Sequence, residues 1–334
     1  MPTHRSRTTH IQPKGNSFGC ALTLSEPSRT QLGGILADLQ IHIIDLCFRH
    51  WPESIASFLV AGPEGAVLVE SGPSSTLPRL QMELSRHGVS PADVHDVFVT
   101  HIHLDHAGAS GWWAQQGARI HVHHIGAPHL TDPSKLLASA QRIYGDRMDS
   151  LWGEILPVAP ENVHPLRDGD LIQAGGLTFE ALDSPGHARH HMAYRLGDVA
   201  FTGDSTGIRM PGQAHIQVPT VPPEFDLEAW QGSLARMRAR KFARLYLTHF
   251  GQVEEADGHL ATVVSLLAEF AEQVRGEMMR GASREEIIRH LAEWEGRPPV
   301  ADGAAQKAET GSSGFGSLGT YVDGAMRYWK KHLR

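Results

Sequence analysis

The apolar run Val97-Phe98-Val99 leads directly into Thr100-His101-Ile102-His103-Leu104-Asp105-His106, which sets three histidines and an aspartate within six positions. In extended backbone, residues two apart point to the same side, so His101 and His103 face one point, while Asp105 and His106, past the bend, face a neighbouring one. One segment therefore has the layout to serve two metal ions. The chain has 22 histidines in 334 residues, and at that frequency the pattern would arise by chance in fewer than about one chain in a hundred.

The same context recurs three times, each time at the C-terminal end of a short apolar run. Ser184-Pro185-Gly186-His187 follows 177–182, Thr202-Gly203-Asp204 comes after Val199, and Thr248-His249-Phe250-Gly251 comes after Leu245. Strand ends on one side of a sheet are where α/β enzymes gather their functional residues. The candidate metal ligands are then His101, His103, Asp105, His106, His187, Asp204 and His249, with Asp204 the candidate bridge. Imidazole and carboxylate suit zinc and also iron or manganese. Cys20 and Cys47 are the only cysteines, too few for a disulfide framework or an all-thiolate site, and they fit a reducing, cytoplasmic setting.

Charge and hydropathy narrow the partners. Thirty Lys and Arg against 37 Asp and Glu leave a net charge of −7, which opposes a polyanion and points away from nucleic acid. No run approaches the ~18 apolar residues of a membrane span. A small-molecule substrate remains the expected partner.

Along the chain, residues 1–33 are basic, rich in Ser and Thr and interrupted by proline, and are expected to be a disordered extension. Strand-like runs at 41–47, 56–61, 66–69, 94–100 and 119–123 alternate with helical patterns at 77–87 and 134–144, and further strands extend to 244–248. This is a mixed α/β pattern over residues 34–256. From 257 to 334 the chain is helical, with a capping-box signature at Ser283-Arg284-Glu285-Glu286 and a Gly/Ala/Ser-rich connector near 300–319. These helices are expected to close over the pocket, to contact substrate, or to pair two chains into a homodimer.

With these residues in place, the chain resembles the metallo-β-lactamase-fold hydrolase superfamily over about residues 35–255. His101, His103, Asp105 and His106 match its signature, and His187, Asp204 and His249 match its later ligand positions in order. The resemblance implies a four-layer αββα sandwich with a dinuclear site at one edge. It implies His101, His103 and His187 on the first metal, Asp105, His106 and His249 on the second, and Asp204 between them. The stretch 186–194, with His191 and Tyr194 after His187, resembles the glyoxalase II-like branch, and 126–136 resembles a little-characterised group of prokaryotic hydrolases. One departure stands out: Glu70-Ser71-Gly72 replaces the usual Asp-x-Gly, so that either Glu70 supports the ligands with a longer reach or the support differs.

The expected activity is hydrolysis of a small ester, lactone, thioester or phosphoester by a hydroxide bound to two divalent ions, zinc first and iron or manganese next. Asp105 is the expected catalytic carboxylate, orienting that nucleophile and shuttling a proton. Two other classes compete: a mononuclear non-haem iron persulfide dioxygenase, and a non-catalytic metal-binding module. Candidate substrate contacts are His191, which could instead brace His187, and Arg209 and His215 in the 205–223 loop. His121 and His123, two apart in a strand, are read as its solvated face, and Tyr194 and one of Trp112 and Trp113 as core.

Overall fold

The structure is a computed structural model that describes residues 40–210, 216–296 and 317–333. The expectations for residues 1–33, for His215 and for most of the 300–319 connector lie outside the described residues. Two six-stranded sheets form the centre. The first runs in chain order through β1 (Gln40–Asp45), β2 (Ala56–Gly62), β3 (Gly65–Val69), β4 (Val94–Phe98), β5 (Arg119–His123) and β6 (Val163–Leu166). Its first three strands are antiparallel and β3 to β6 are parallel. The second sheet holds β7 (Leu171–Ala174), β8 (Leu177–Asp183), β9 (Met192–Leu196), β10 (Val199–Phe201), β11 (Arg244–Leu247) and β12 (Gly251–Val253), again in order, with β10 and β11 its parallel pair.

The sheets pack through alternate residues. Phe58 and Val60, Val67 and Val69, Phe179 and Ala181, and Met192 and Tyr194 share one buried cluster, the two-residue period expected when each strand presents one face to the opposite sheet. Phe98 stacks on Phe179 with ring centroids 4.6 Å apart, joining the sheets at their middle. The intervening residues face outward and are covered by helices. On the first sheet lie α1 (Leu77–Arg86), α2 (Leu104–Ala107), α3 (Ser110–Gln115), α4 (Ala127–Thr131), α5 (Ser134–Tyr144) and α6 (Met148–Trp152), all of which lend buried residues to one cluster. On the second lie α7 (Leu227–Ala239), α8 (Ala256–Met279), α9 (Arg284–Trp294) and α10 (Leu318–His332). The result is the expected αββα sandwich with helices at its C-terminal end.

Local chemistry explains several boundaries. Asp226 caps α7 by accepting the Ala229 N–H at 3.0 Å, and Ser283 and Glu286 form the reciprocal box that starts α9. The C-terminal helices share a core with the second sheet: Leu267, Phe270, Leu291, Tyr321 and Val322 belong to the cluster that contains Leu245 and Leu247. Among the described residues, no helix is long and apolar enough to cross a membrane.

One expectation is corrected here. His121 and His123 are buried, not solvated, because β5 lies inside the parallel part of the sheet with both faces covered. His121 Nε2 meets the Asp96 carboxylate at 2.7 Å and its ring stacks on Phe98, while His123 Nε2 meets Asp183 at 3.0 Å. Tyr194 is core, its hydroxyl donating to the Val99 carbonyl at 2.8 Å, and Trp113 is fully buried while Trp112 is half-buried.

The last helix is fixed by a close approach. Gly324 of α10 lies against the Thr220 backbone so tightly that a Cβ would overlap the Thr220 carbonyl oxygen, and the Thr220 hydroxyl donates to the Tyr321 carbonyl at 2.8 Å. Gly324→Val should therefore destabilise the protein by about 2 kcal/mol or more, read as a lower midpoint in chemical denaturation. An unchanged midpoint would mean that the helix tolerates a shift away from Thr220.

Candidate metal centre

The seven sequence candidates come together at one edge of the sandwich, each delivered by the C-terminal end of a strand or the turn after it. His101, His103, Asp105 and His106 follow β4, His187 follows β8, Asp204 follows β10 and His249 follows β11. The turn before Asp204 demands glycine: Gly203 has φ +51°, and a Cβ there would collide with Thr100 and with His191 Nε2. Three groupings have donor atoms within 4.8 Å of one another: His101, His103 and His187; His101, His106 and Asp204; and Asp105, His106 and His249.

The hydrogen bonds fix which nitrogens are bare. The Thr100 hydroxyl donates to Glu70 Oε1 at 2.6 Å and so accepts from His101 Nδ1 at 3.1 Å, which leaves His101 Nε2 unprotonated. His187 Nδ1 donates to the Pro219 carbonyl at 2.7 Å, leaving its Nε2 unprotonated as well. Both bare nitrogens point at His103 Nδ1, at 2.8 and 3.1 Å. Three imidazole nitrogens thus converge with at most one proton among them, an arrangement that a cation satisfies and that is costly without one.

The neighbouring grouping is built the same way. His106 Nδ1 donates to Glu70 Oε1 at 2.9 Å and His249 Nδ1 to the Ser54 carbonyl at 2.7 Å, so both Nε2 atoms face inward. His106 Nε2 lies 3.3 Å from Asp204 Oδ1 and 3.6 Å from Asp105 Oδ2, and His249 Nε2 lies 3.4 Å from Asp105 Oδ2. His106 Nε2 and Asp204 Oδ1 are buried atoms with no hydrogen-bond partner. Orphaned polar atoms facing each other in this way fit a cation held among them.

The electrostatics divide the centre in two. Burial pushes His101 well below the usual imidazole range and takes His103 down to about 3, with neighbouring histidines adding to both shifts. Around His106, burial pulls the same way, but the carboxylates of Asp105, Glu70 and Asp204 outweigh it and hold the ring well above its usual range. Burial alone would raise Asp105, yet His106 and His249 bring it down to about 2. Asp204 is held well below the carboxylate range in the same way, first by His106 and then by His249 against its own burial. The donor set is thus neutral imidazole on one side and excess negative charge on the other, suited to bind positive charge.

Glu70 is the support that the sequence left open. Fully buried and with φ +67°, it accepts from the Thr100 N–H at 3.2 Å, the Thr100 hydroxyl at 2.6 Å, the Thr248 hydroxyl at 2.9 Å and His106 at 2.9 Å. A non-glycine residue in the left-handed region costs ~1 kcal/mol or more, tolerated here because four hydrogen bonds determine its place.

The substrate candidates fare differently. His191 does not line the cavity at the centre. Its Nδ1 pairs with the Ser184 hydroxyl at 2.8 Å and its Nε2 accepts the Asp204 N–H at 3.2 Å, so it braces Asp204 and has no nitrogen left for substrate. Arg209 is exposed and also absent from the lining; its backbone N–H donates to the His249 carbonyl. The cavity, about 490 Å³, is bordered by His103, Asp105, His187, Asp204 and His249 at its floor. Its walls include residues that sequence reasoning missed: His190, Tyr144, Trp152 and, from α10, Tyr321. The periodicity of 134–144 marks the helix that carries Tyr144, but nothing local says that Tyr321 returns from the far end of the chain.

The family model of the metallo-beta-lactamase superfamily matches residues 50–249, and the chain belongs to that superfamily. A metallo-beta-lactamase fold-containing protein of Sulfurisphaera tokodaii is 27% identical over 260 residues, 76% of this chain and 93% of the relative. A crystal structure of a metallo-beta-lactamase family protein from Thermus thermophilus superposes with a TM-score of 0.65 at 18% identity, covering 88% of this chain and 94% of the other. The crystal structure of the same archaeal protein as that 27% identical relative, its source given as Sulfolobus tokodaii, superposes with a TM-score of 0.55 at 25% identity, covering 69% of this chain and 85% of the other.

Glu70→Gln keeps the size of the side chain but removes the charge that holds His106 by Nδ1. Loss of such a partner behind a metal ligand typically costs 10–100-fold in metal affinity. Calorimetric titration with zinc should show one site weakened by about that factor relative to wild type. Equal affinities in the two proteins would contradict the role assigned to Glu70.

Proposed function

We propose that the protein is a metal-dependent hydrolase working with two divalent ions, zinc first in expectation and iron or manganese next, on an ester-type bond of a small molecule. The observation that carries this reading is the convergence of the unprotonated Nε2 atoms of His101 and His187 on His103 Nδ1, beside the partnerless His106 Nε2 and Asp204 Oδ1. His101, His103 and His187 would hold one ion, Asp105, His106 and His249 the other, with Asp204 between them. When bound, such a pair polarises a carbonyl or phosphoryl oxygen and brings the pKa of water toward neutrality.

The residues around the pair supply orientation and proton handling. Asp105 is the more open of the two central carboxylates, 16% exposed against 6% for Asp204, and both border the cavity. From there the Asp105 carboxylate would orient the attacking water and relay a proton toward the leaving group. Pro219, through its carbonyl, and Thr100, through its hydroxyl, fix the tautomers of His187 and His101, so these ligands need no reorganisation. The aliphatic and aromatic residues of the cavity walls would cover the apolar part of a bound substrate.

The test pairs elemental analysis of the purified protein with hydrolysis of an ester, lactone, thioester and phosphoester panel. Two metals per chain are expected, with turnover of at least one substrate class and a fall of about 10²–10⁴-fold in kcat for Asp105→Ala. A single iron with oxygen uptake and no hydrolysis would replace the reading with oxygen-dependent sulfur chemistry. Bound metal with no rate above that of the free ion would leave a binding module.

A further inference from the structure

The cavity above the centre has a composition that the chemistry of hydrolysis does not require. Its roof is one face of α5, where Leu136, Ala140 and Ile143 recur at the four- and three-residue spacing of a helix stripe. That stripe is aimed at the cavity and not wholly buried in the core: Ile143 is 63% exposed. Across from it stand Trp152, Val221 and Tyr321, so that apolar surface from three separate parts of the chain encloses one volume. An apolar volume of about 490 Å³ lies within the ~300–1,000 Å³ range of small-molecule sites.

The charge at the rim is one-sided. Arg49, Lys135 and Arg147 all border the cavity and all are exposed. Apart from the centre's own Asp105 and Asp204, the one carboxylate on the lining among the described residues is Glu224, and it is already engaged, by Arg189 at 3.0 Å and by His190 at 3.2 Å. Arg49 is held there by an unusual loop: Cys47, Arg49, His50 and Glu53 all have positive φ, and Asp45 secures the turn by accepting the N–H groups of Cys47 and Glu53, each at 2.9 Å. Left-handed backbone at several non-glycine residues persists where a loop's position is used.

We propose that the site takes an anionic amphiphile: an acyl compound whose aliphatic or aromatic chain lies along α5 and whose far end carries a carboxylate or phosphate that meets Lys135 and Arg147. This rests on the hydrolase reading for the bond that is cut, and adds the class of molecule that carries it. The scissile carbonyl sits over the histidines, the chain fills the space between Ile143 and Tyr321, and the anionic end reaches the rim. Each methylene buried along the way adds roughly fourfold in affinity, and the terminal charge adds specificity through charge-assisted hydrogen bonds.

The test uses the full-length metal-loaded protein and 4-nitrophenyl esters of acetate, octanoate, ω-carboxyoctanoate and ω-phosphooctanoate. The octanoyl ester should exceed the acetyl ester in kcat/KM by at least about thirtyfold, and at least one anionic ester should exceed the methyl-terminated one by on the order of tenfold, mainly in KM. The two anionic arms tell carboxylate from phosphate. In Lys135→Gln/Arg147→Gln the ratio of anionic to methyl-terminated ester should fall to about one, and Lys135→Glu should reverse it. No chain-length preference, or an anionic preference that survives the double substitution, would overturn the proposal. Calorimetry with the matching 4-nitroanilides reads binding without turnover. Preferential binding of the anionic anilide, abolished by the double substitution and unaccompanied by ester cleavage, would overturn the hydrolase reading and leave this one standing; cleavage without preference would do the reverse.

Discussion

The fold and the centre meet at the buried carboxylate of Glu70. It directly follows β3, binds the turn after β4 through Thr100, reaches the second sheet through Thr248 after β11, and orients His106 through Nδ1. A hydrogen bond to a charged group contributes about 1.5–3 kcal/mol when buried, so the four together are a main clamp between the sheets at the edge where the ligands emerge. The same clamp sets chemistry: by accepting from His106 Nδ1 and from the Thr100 hydroxyl, Glu70 turns the Nε2 atoms of His106 and His101 inward. Here stability and site geometry come from one residue.

Around that clamp the sandwich acts as a rigid frame. Interlocked aromatics such as Phe98 on Phe179 and Phe58 beside Phe201 keep the sheets in register, and the residues just past the strand ends inherit that precision. Support continues outward. His191 steadies Asp204 through its backbone N–H, Pro219 holds His187, and the segment containing Pro219 and Thr220 is itself backed by α10 at Gly324. A helix near the end of the chain is thereby tied, through two short contacts, to an imidazole at the centre.

Much of the arrangement was legible in the sequence because the candidate ligands occur at strand ends in short, local patterns. His101 through His106 are read from spacing alone, and His187, Asp204 and His249 from their repeated placement after apolar runs. The helices at 134–144 and 284–294 and the capping box at Ser283 are also local signals. What was not legible depends on contacts between distant segments. His121 looks like a surface residue until Asp96 from the neighbouring strand pairs with it at 2.7 Å. His191 looks like a substrate contact until Ser184 and the Asp204 N–H occupy both its nitrogens. Tyr321 joins the cavity only because α10 docks on Thr220.

The account stands on two cations held by seven side chains, and anomalous diffraction from crystals of the metal-loaded protein tests that most directly. It predicts two peaks about 3.5–4 Å apart, one among His101, His103 and His187 and the other among Asp105, His106 and His249, with Asp204 between them. One peak only, or peaks away from these residues, would contradict it.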